Sequence, residues 1–312
     1  MSSAGDQNGI VCNGPLKTEK NGFKIIDCVQ CGFAHVFQLP SAEDLVEIYK
    51  YEYYNTEKPD YINHYVQYKV WWDSVYDERL VELEEFLPGK TNISILDVGS
   101  GPGLFLDRAR YRGWEVQGIE PALKAYEYSV SKLGLPVKNC YLDSEVAETL
   151  PTYDVVHLGE VLEHLPDPHS MLRIIRKKLL KPGGLIAVVV PNDYNNFQNI
   201  LASALGYEEW WVTPPHHLNY FNVGTIERFV RRQGFELLST STSFPIDIFL
   251  MMGMNYVGNE TLGRQAHSLR KTFDLNLHGL EDERSNNLKK SFYKKMAELG
   301  LGREVWCVGR AN

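Results

Sequence analysis

The chain has 312 residues, 44% of them hydrophobic, five cysteines and a net charge of -8. That length carries one main domain with appendages. The acidic balance argues against a nucleic-acid binder, since Lys/Arg runs occur only at 173–178 and 289–295.

The first 40 residues read as a loop-rich, Gly-containing arm with Cys12, Cys28 and Cys31. The start lacks a basic region followed by an apolar one, so no signal peptide is expected. No apolar run reaches ~18 residues, so no membrane span is expected. An odd number of cysteines suits a reducing cytoplasm better than a disulfide framework. Ser41 with Asp44 three residues on predicts a helix start, with Leu45, Ile48 and Tyr49 on one face. The stretch 45–76 is rich in Tyr and Trp. It reads as a helical lid, its rings either packed on the core or walling an acceptor pocket.

Strands are predicted at 93–98, 115–119, 136–140, 154–158 and 185–190, with helices at 103–112, 122–133 and 169–180. This alternation implies a parallel sheet with crossover helices. Pro191 stops the fifth strand, a helix follows over 194–206, and 207–222 reads as a loop. Asn222 caps a helix over 223–233 that Gly234 ends. Strands at 235–243 and 303–309 finish the sheet, and 244–300 reads as a helical insertion, either a lid or an oligomer contact. The expected division is an arm and lid over 1–60, a core over 61–243, the insertion, and a final strand over 301–312.

The chemistry is concentrated at 93–103, Ile-Ser-Ile-Leu-Asp-Val-Gly-Ser-Gly-Pro-Gly. An apolar strand ends in Asp97, Gly99, Gly101 and Gly103 follow, and a helix opens, which suits close backbone approach to a ligand. The next strand ends in Glu120, placed to accept from ribose hydroxyls. A dinucleotide fingerprint needs a third glycine, but 104 and 106 are both Leu.

Four segments together resemble the class I S-adenosylmethionine (SAM)-dependent methyltransferases. They are Asp97–Gly103, Gly118–Pro121, Tyr153–Leu165 and Leu180–Ile186, in that order. The resemblance covers about 65–243 and is closest to bacterial sugar and ubiquinone-type small-molecule methyltransferases. It implies a Rossmann-like, seven-stranded, mostly parallel sheet with the last strand antiparallel. It also implies SAM as cofactor: the methionine tail over 99–103 near Asp97, Glu120 on ribose, Pro121, Leu142 and Asp143 around adenine, and Leu158, Gly159 and Glu160 under the methionine part. Cys140 is expected to fill space in the third strand.

The acceptor side offers two histidine clusters. His164 follows Glu163, a pair common in related enzymes whatever their substrate, which favours a structural role. His217, within Pro214-Pro-His-His-Leu-Asn-Tyr220, lies on the loop after the fifth strand and is the preferred general base, with His216 behind it. The alternative is a stiff loop capping the helix at 223. Tyr220, Trp210 and Trp211 are candidates to contact the acceptor. Cys28-Val-Gln-Cys31 has the gap of a zinc knuckle, and Cys12 and His35 complete a candidate metal set. Some bacterial sugar C-methyltransferases carry such an arm with two Cys pairs. Here one Cys is missing, and an arm without an ion is the alternative.

The expected activity is O-methylation of a small hydroxylated metabolite in the cytoplasm, with a sugar or sugar nucleotide first. The alternatives are C-methylation of a nucleotide-linked keto sugar and a non-catalytic SAM-binding partner subunit. Arg173, Arg176, Arg231 and Arg232 are the cations nearest to hand for a diphosphate, but the sequence does not place them.

Overall fold

The computed structural model describes residues 12–41, 67–278 and 283–312. The expected helix start at Ser41 and most of the aromatic lid fall in 42–66, outside the described residues.

The arm is a small sheet where a loop was expected. Strands β1 (Leu16–Lys20) and β2 (Phe23–Asp27) form an antiparallel hairpin, and β3 (Ala34–Val36) adds to β2. Asn21 and Gly22 join the first two with φ of 52° and 78°. Two consecutive positive φ values match the right-handed twist of the flanking strands, and Asn-Gly supplies them at low cost. Helix α1 (Lys69–Glu85) then buries Trp71, Tyr76, Leu80 and Leu83.

The alternating core follows. Its elements are β4 (Ser94–Val98), α2 (Leu104–Tyr111), β5 (Glu115–Ile119), α3 (Leu123–Ser131), β6 (Val137–Lys138), α4 (Ser144–Glu148), β7 (Tyr153–Gly159), α5 (Pro168–Ile174) and β8 (Leu180–Pro191). All five residues of β4 and the first six of β7 are buried. A strand covered on both faces reads as a continuous apolar run, which is why these were legible. The helix expected over 169–180 instead ends at Ile174 and widens into a π-turn over Ile175–Leu179. The third core strand is two residues long, so Cys140 lies beyond it and is half-buried rather than filling space within it. Asn139 ends that strand by turning its amide back onto the carbonyls of Glu120 and Pro121, at 2.8 and 3.0 Å.

Beyond the fifth core strand come α6 (Asn196–Leu205), β9 (Asn219–Tyr220), α7 (Val223–Arg232) and β10 (Phe235–Thr242). Helices α8 (Ile248–Met251), α9 (Glu260–His278) and α10 (Glu283–Glu298) fill the expected insertion, before β11 (Glu304–Ala311). The Asn222 side chain accepts from the Thr225 amide at 3.0 Å, as a cap for α7 should. The loop expected over 207–222 contains β9, which pairs antiparallel with β3.

The large sheet has the order β10-β11-β8-β7-β4-β5-β6. Strand β4 runs parallel to β5 and β7, and β5 to β6. It is the expected mostly parallel sheet with one antiparallel strand. The small sheet is β1-β2-β3-β9. By internal contacts the chain forms two compact units. One takes residues up to 38, 189–230 and 239–307; the other takes 39–188, 231–238 and 308–312. No helix among the described residues is long and apolar enough to cross a membrane.

Candidate functional site

In the second unit the glycine loop folds back on the end of β5. The amides of Gly99 and Ser100 both donate to the Ile119 carbonyl, at 2.8 and 3.0 Å. Gly99 and Gly103 have φ of 70° and 83°, where other residues are strained. A Cβ at Gly99 would stand 2.6 Å from Val161 Cγ2, and one at Gly103 2.5 Å from Leu135 Cδ1. The loop is therefore a bare backbone cradle at the carboxyl ends of the strands, where open parallel sheets bind ligands.

Glu120 closes this cradle from β5. One carboxylate oxygen accepts from the Gly101 amide at 2.7 Å and the other from the Ala122 amide at 2.7 Å. Burial raises its pKa to about 7, against the pull of those two amides and with the Asp97 charge adding to the rise. Asp97 lies directly across from His157 on the neighbouring strand, and its Oδ1 is 2.7 Å from His157 Nδ1. The Phe105 ring packs 4.2 Å from the imidazole, centroid to centroid. His157 stands inside a buried run, and its bond to Asp97 was not anticipated from sequence.

The remaining expected cofactor residues sit in the same unit. Asp143 uses Oδ1 to cap α4, accepting from the amides of Glu145 and Val146 at 2.9 and 2.8 Å. Leu142 and Leu158 are buried, and Pro121 is half-buried. Glu160 follows Gly159 with φ 56°, a turn for which its sequence carries no glycine signal. His164 is half-buried at the end of a single 3₁₀ turn, Leu162–His164.

In the first unit the His loop rests on an aromatic cluster. Tyr194 packs edge-on against Trp211 and Tyr220, at 5.6 and 6.1 Å between centroids. Lys17 Nζ lies 4.3 Å from the centre of the Tyr194 ring. Tyr220 is buried, and its hydroxyl donates to the His217 carbonyl at 3.0 Å. His217 is half-buried beside it, 6.4 Å from its ring and with Nδ1 turned inward, and His216 is half-buried too. Trp211 is buried and Trp210 half-buried. Behind the cluster, burial and the neighbouring Asp247 charge raise the pKa of Asp193 well above its ordinary value. Tyr194 and Lys17 were not among the sequence candidates, because their meeting joins β1 to the end of β8.

Cys12, Cys28, Cys31 and His35 also lie in the first unit. One donor atom from each lies within 4.8 Å of the others.

A family model described as a methyltransferase domain matches residues 71–240. The chain is 28% identical over 204 residues to the "Ubiquinone biosynthesis O-methyltransferase" of Chromobacterium violaceum, a match covering 60% of this chain and 83% of that protein. The protein of the same name from Azoarcus sp. (strain BH72) is 30% identical over 190 residues, covering 55% of this chain and 79% of that one. Among solved structures, a SAM dependent methyltransferase from Archaeoglobus fulgidus aligns with a TM-score of 0.46 at 16% identity, covering 75% of this chain and 94% of that chain.

Proposed function

Since the chain belongs to the methyltransferase-domain family and is a SAM-dependent methyltransferase, we propose that it methylates an oxygen of a small hydroxylated ring compound, with His217 taking the proton. Bound SAM supplies an activated methyl group on a sulfonium, and the leaving group is a neutral thioether. The donor thus needs no acid, and the proton of the acceptor hydroxyl is what the protein must remove.

The residues present fit that cofactor. The glycine loop offers close approach to a backbone without side chains, and Glu120 is an acid held at the end of β5. Under this reading Glu120 takes the ribose and the loop takes the methionine tail. Leu142 and Pro121 then offer the adenine apolar contact, and Asp143 keeps Oδ2 for its amine.

On the acceptor side, the observation that carries the proposal is the half-buried His217 beside the Tyr194, Trp211 and Tyr220 cluster. Flat rings and sugar faces both suit aromatic surfaces. Tyr220 is less suited to take the proton. Burial raises its pKa, and its hydroxyl already donates to the His217 carbonyl. Lys17 on Tyr194 adds a cation, which supports an acceptor carrying an anionic group, such as a sugar nucleotide. The relatives' names support oxygen over carbon as the atom methylated.

A thermal-shift panel in the presence of S-adenosylhomocysteine tests the class. Stabilisation by nucleotide sugars, and none by neutral phenols, is expected; the reverse moves the acceptor to a phenol. With the acceptor found, His217→Ala should lower turnover about 100-fold with SAM affinity unchanged. Near-normal turnover rejects His217 as the base.

A further inference from the structure

The Cys-containing arm and the His217 loop are parts of one sheet. Strand β3 pairs with β9, with His35 opposite Asn219 and Ala34 opposite Tyr220. The Val36 amide extends the ladder by donating to the Leu218 carbonyl at 2.9 Å. The residue after His217 is thus hydrogen-bonded to the residue after His35.

His35 itself faces two ways. Its Nδ1 is 2.8 Å from the Val36 carbonyl, which places the proton on Nδ1 and leaves Nε2 with a lone pair. That Nε2 is buried without a hydrogen-bond partner. A carbonyl on the far nitrogen is how ligating histidines are commonly held. The thiols converge from two other places. Cys12 Sγ is 3.7 Å from Cys31 Sγ. Two thiolates on a tetrahedral zinc, each bonded at ~2.3 Å, stand roughly 3.8 Å apart. The Cys31 amide points at Cys28 Sγ at 3.5 Å, as a knuckle turn does. Cys28 also closes a turn through its carbonyl, which accepts from the Gly32 amide at 2.9 Å.

The backbone that delivers Cys12 has no tolerance for a side chain. A Cβ at Gly14 would lie 1.9 Å from the Asp27 carbonyl oxygen. On either side of that contact, Asp27 donates to Pro15 and Val29 donates to Asn13, each at 3.0 Å. The segment is therefore clamped against the knuckle, with the Cys12 sulfur turned into the cluster.

We infer that Cys12, Cys28, Cys31 and His35 bind one zinc ion, and that the ion holds β3 so that β3 sets the position of the strand following His217. Three thiolates and one imidazole make a closed structural set, with no open position for chemistry. Binding releases the thiol protons to solvent, and its free energy is folding free energy for the arm. Without the ion, His35 Nε2 has no ligand to hold it, and the short β3–β9 ladder has only its three backbone pairings. This conclusion stands apart from the identity of the methyl acceptor.

Metal analysis of the full chain, purified under reducing conditions without chelator, is expected to find close to one equivalent of zinc. Less than a tenth of an equivalent, even after incubation with zinc, overturns the site. A Cys12–Cys31 disulfide in its place, seen as two missing protons in the intact mass, overturns it as well. Cys31→Ser should lose the metal, and Cys140→Ser should keep it. Should Cys31→Ser fail to fold, His35→Cys carries the test: it supplies a fourth thiolate and should retain zinc. Cobalt loaded in place of zinc should show the visible absorption of a tetrahedral thiolate site; an octahedral spectrum overturns the assignment. Hydrogen exchange tests the link to the loop. Stripping the zinc should speed exchange at least tenfold in 33–36 and 218–221 and leave 97–103 unchanged. Unchanged exchange at 218–221 overturns the coupling.

Discussion

Asp97 and His157 stand opposite each other on neighbouring parallel strands, 2.7 Å apart through Oδ1 and Nδ1. Both are buried, and the imidazole supplies the partner that a buried carboxylate needs. The histidine acts as a positioning residue for Asp97. It also sets the space around Gly159, where a Cβ would be 2.8 Å from its Cε1.

His157→Ala is expected to cost about 3 kcal/mol of stability, through a cavity beside Phe105 and a buried carboxylate that has lost its partner. Affinity for S-adenosylhomocysteine should fall about tenfold if Asp97 then turns from the loop. Urea unfolding and calorimetry read the two effects separately. Unchanged stability would show that His157 is not the group that holds Asp97.

Glu120 should make stability depend on pH. Its folded pKa, about 7, lies above the ordinary value of 4.5, so the folded state favours the protonated acid. Stability from this group is full below about 4.5 and is lost as pH rises through about 7. The loss is about 3 kcal/mol. Denaturant titrations of the cofactor-free protein at pH 5 and pH 8 should show it. Glu120→Gln should remove that part of the slope. An identical slope in the variant would assign it elsewhere, for instance to Asp193.

Asp154 gives the opposite sign. It accepts from Lys90, from Lys181 at 2.8 Å, and from the amide and hydroxyl of Ser94 at 3.0 and 2.8 Å. Burial alone would raise its pKa, but these donors hold it well below the usual carboxylate range. Its contribution is therefore present above the unfolded pKa and is lost progressively as pH falls from there through the much lower folded pKa. Asp154→Ala should cost about 3 kcal/mol at neutral pH and about a third less at pH 3, with the rest of the charge contribution disappearing only at still lower pH. A penalty equal at both pH values would mean that packing, not charge, is what the substitution removes.

Tyr220→Phe probes the acceptor loop without touching the imidazole. It removes the bond to the His217 carbonyl and should cost about 1 kcal/mol. Under the proposed mechanism it should raise KM for the acceptor more than it lowers kcat. A fall in kcat as large as that of His217→Ala would make the Tyr220 hydroxyl the proton acceptor instead.

The strand, glycine loop and acid of the second unit were legible in the sequence for local reasons. An apolar run, three glycines and an amphipathic segment are all neighbours, and the acid ending β5 is one strand later. The role of Asp143 as a helix cap was equally local but was masked by the expectation of a ligand contact. The arm was misread although Asn21-Gly22 carries the hairpin signal, because its flanking strands are short and half-exposed. Strand β9 has two residues and no pattern of its own. It exists only because β3, from the other end of the chain, supplies its partner. The same holds for Lys17 on Tyr194, which no window of neighbouring residues contains.

The position of β11 between β8 and β10 bears on how the protein is made. An interior strand is supplied by residues 304–311, after every other strand of the large sheet has left the ribosome. Until then β8 presents unpaired amides and carbonyls along one side, and β10 has no neighbour to join. An uncovered apolar strand edge of that kind invites pairing with another nascent chain. Translation that stalls within α10 would therefore release a polypeptide whose glycine loop is complete but whose sheet is open, a natural substrate for chaperones and proteases.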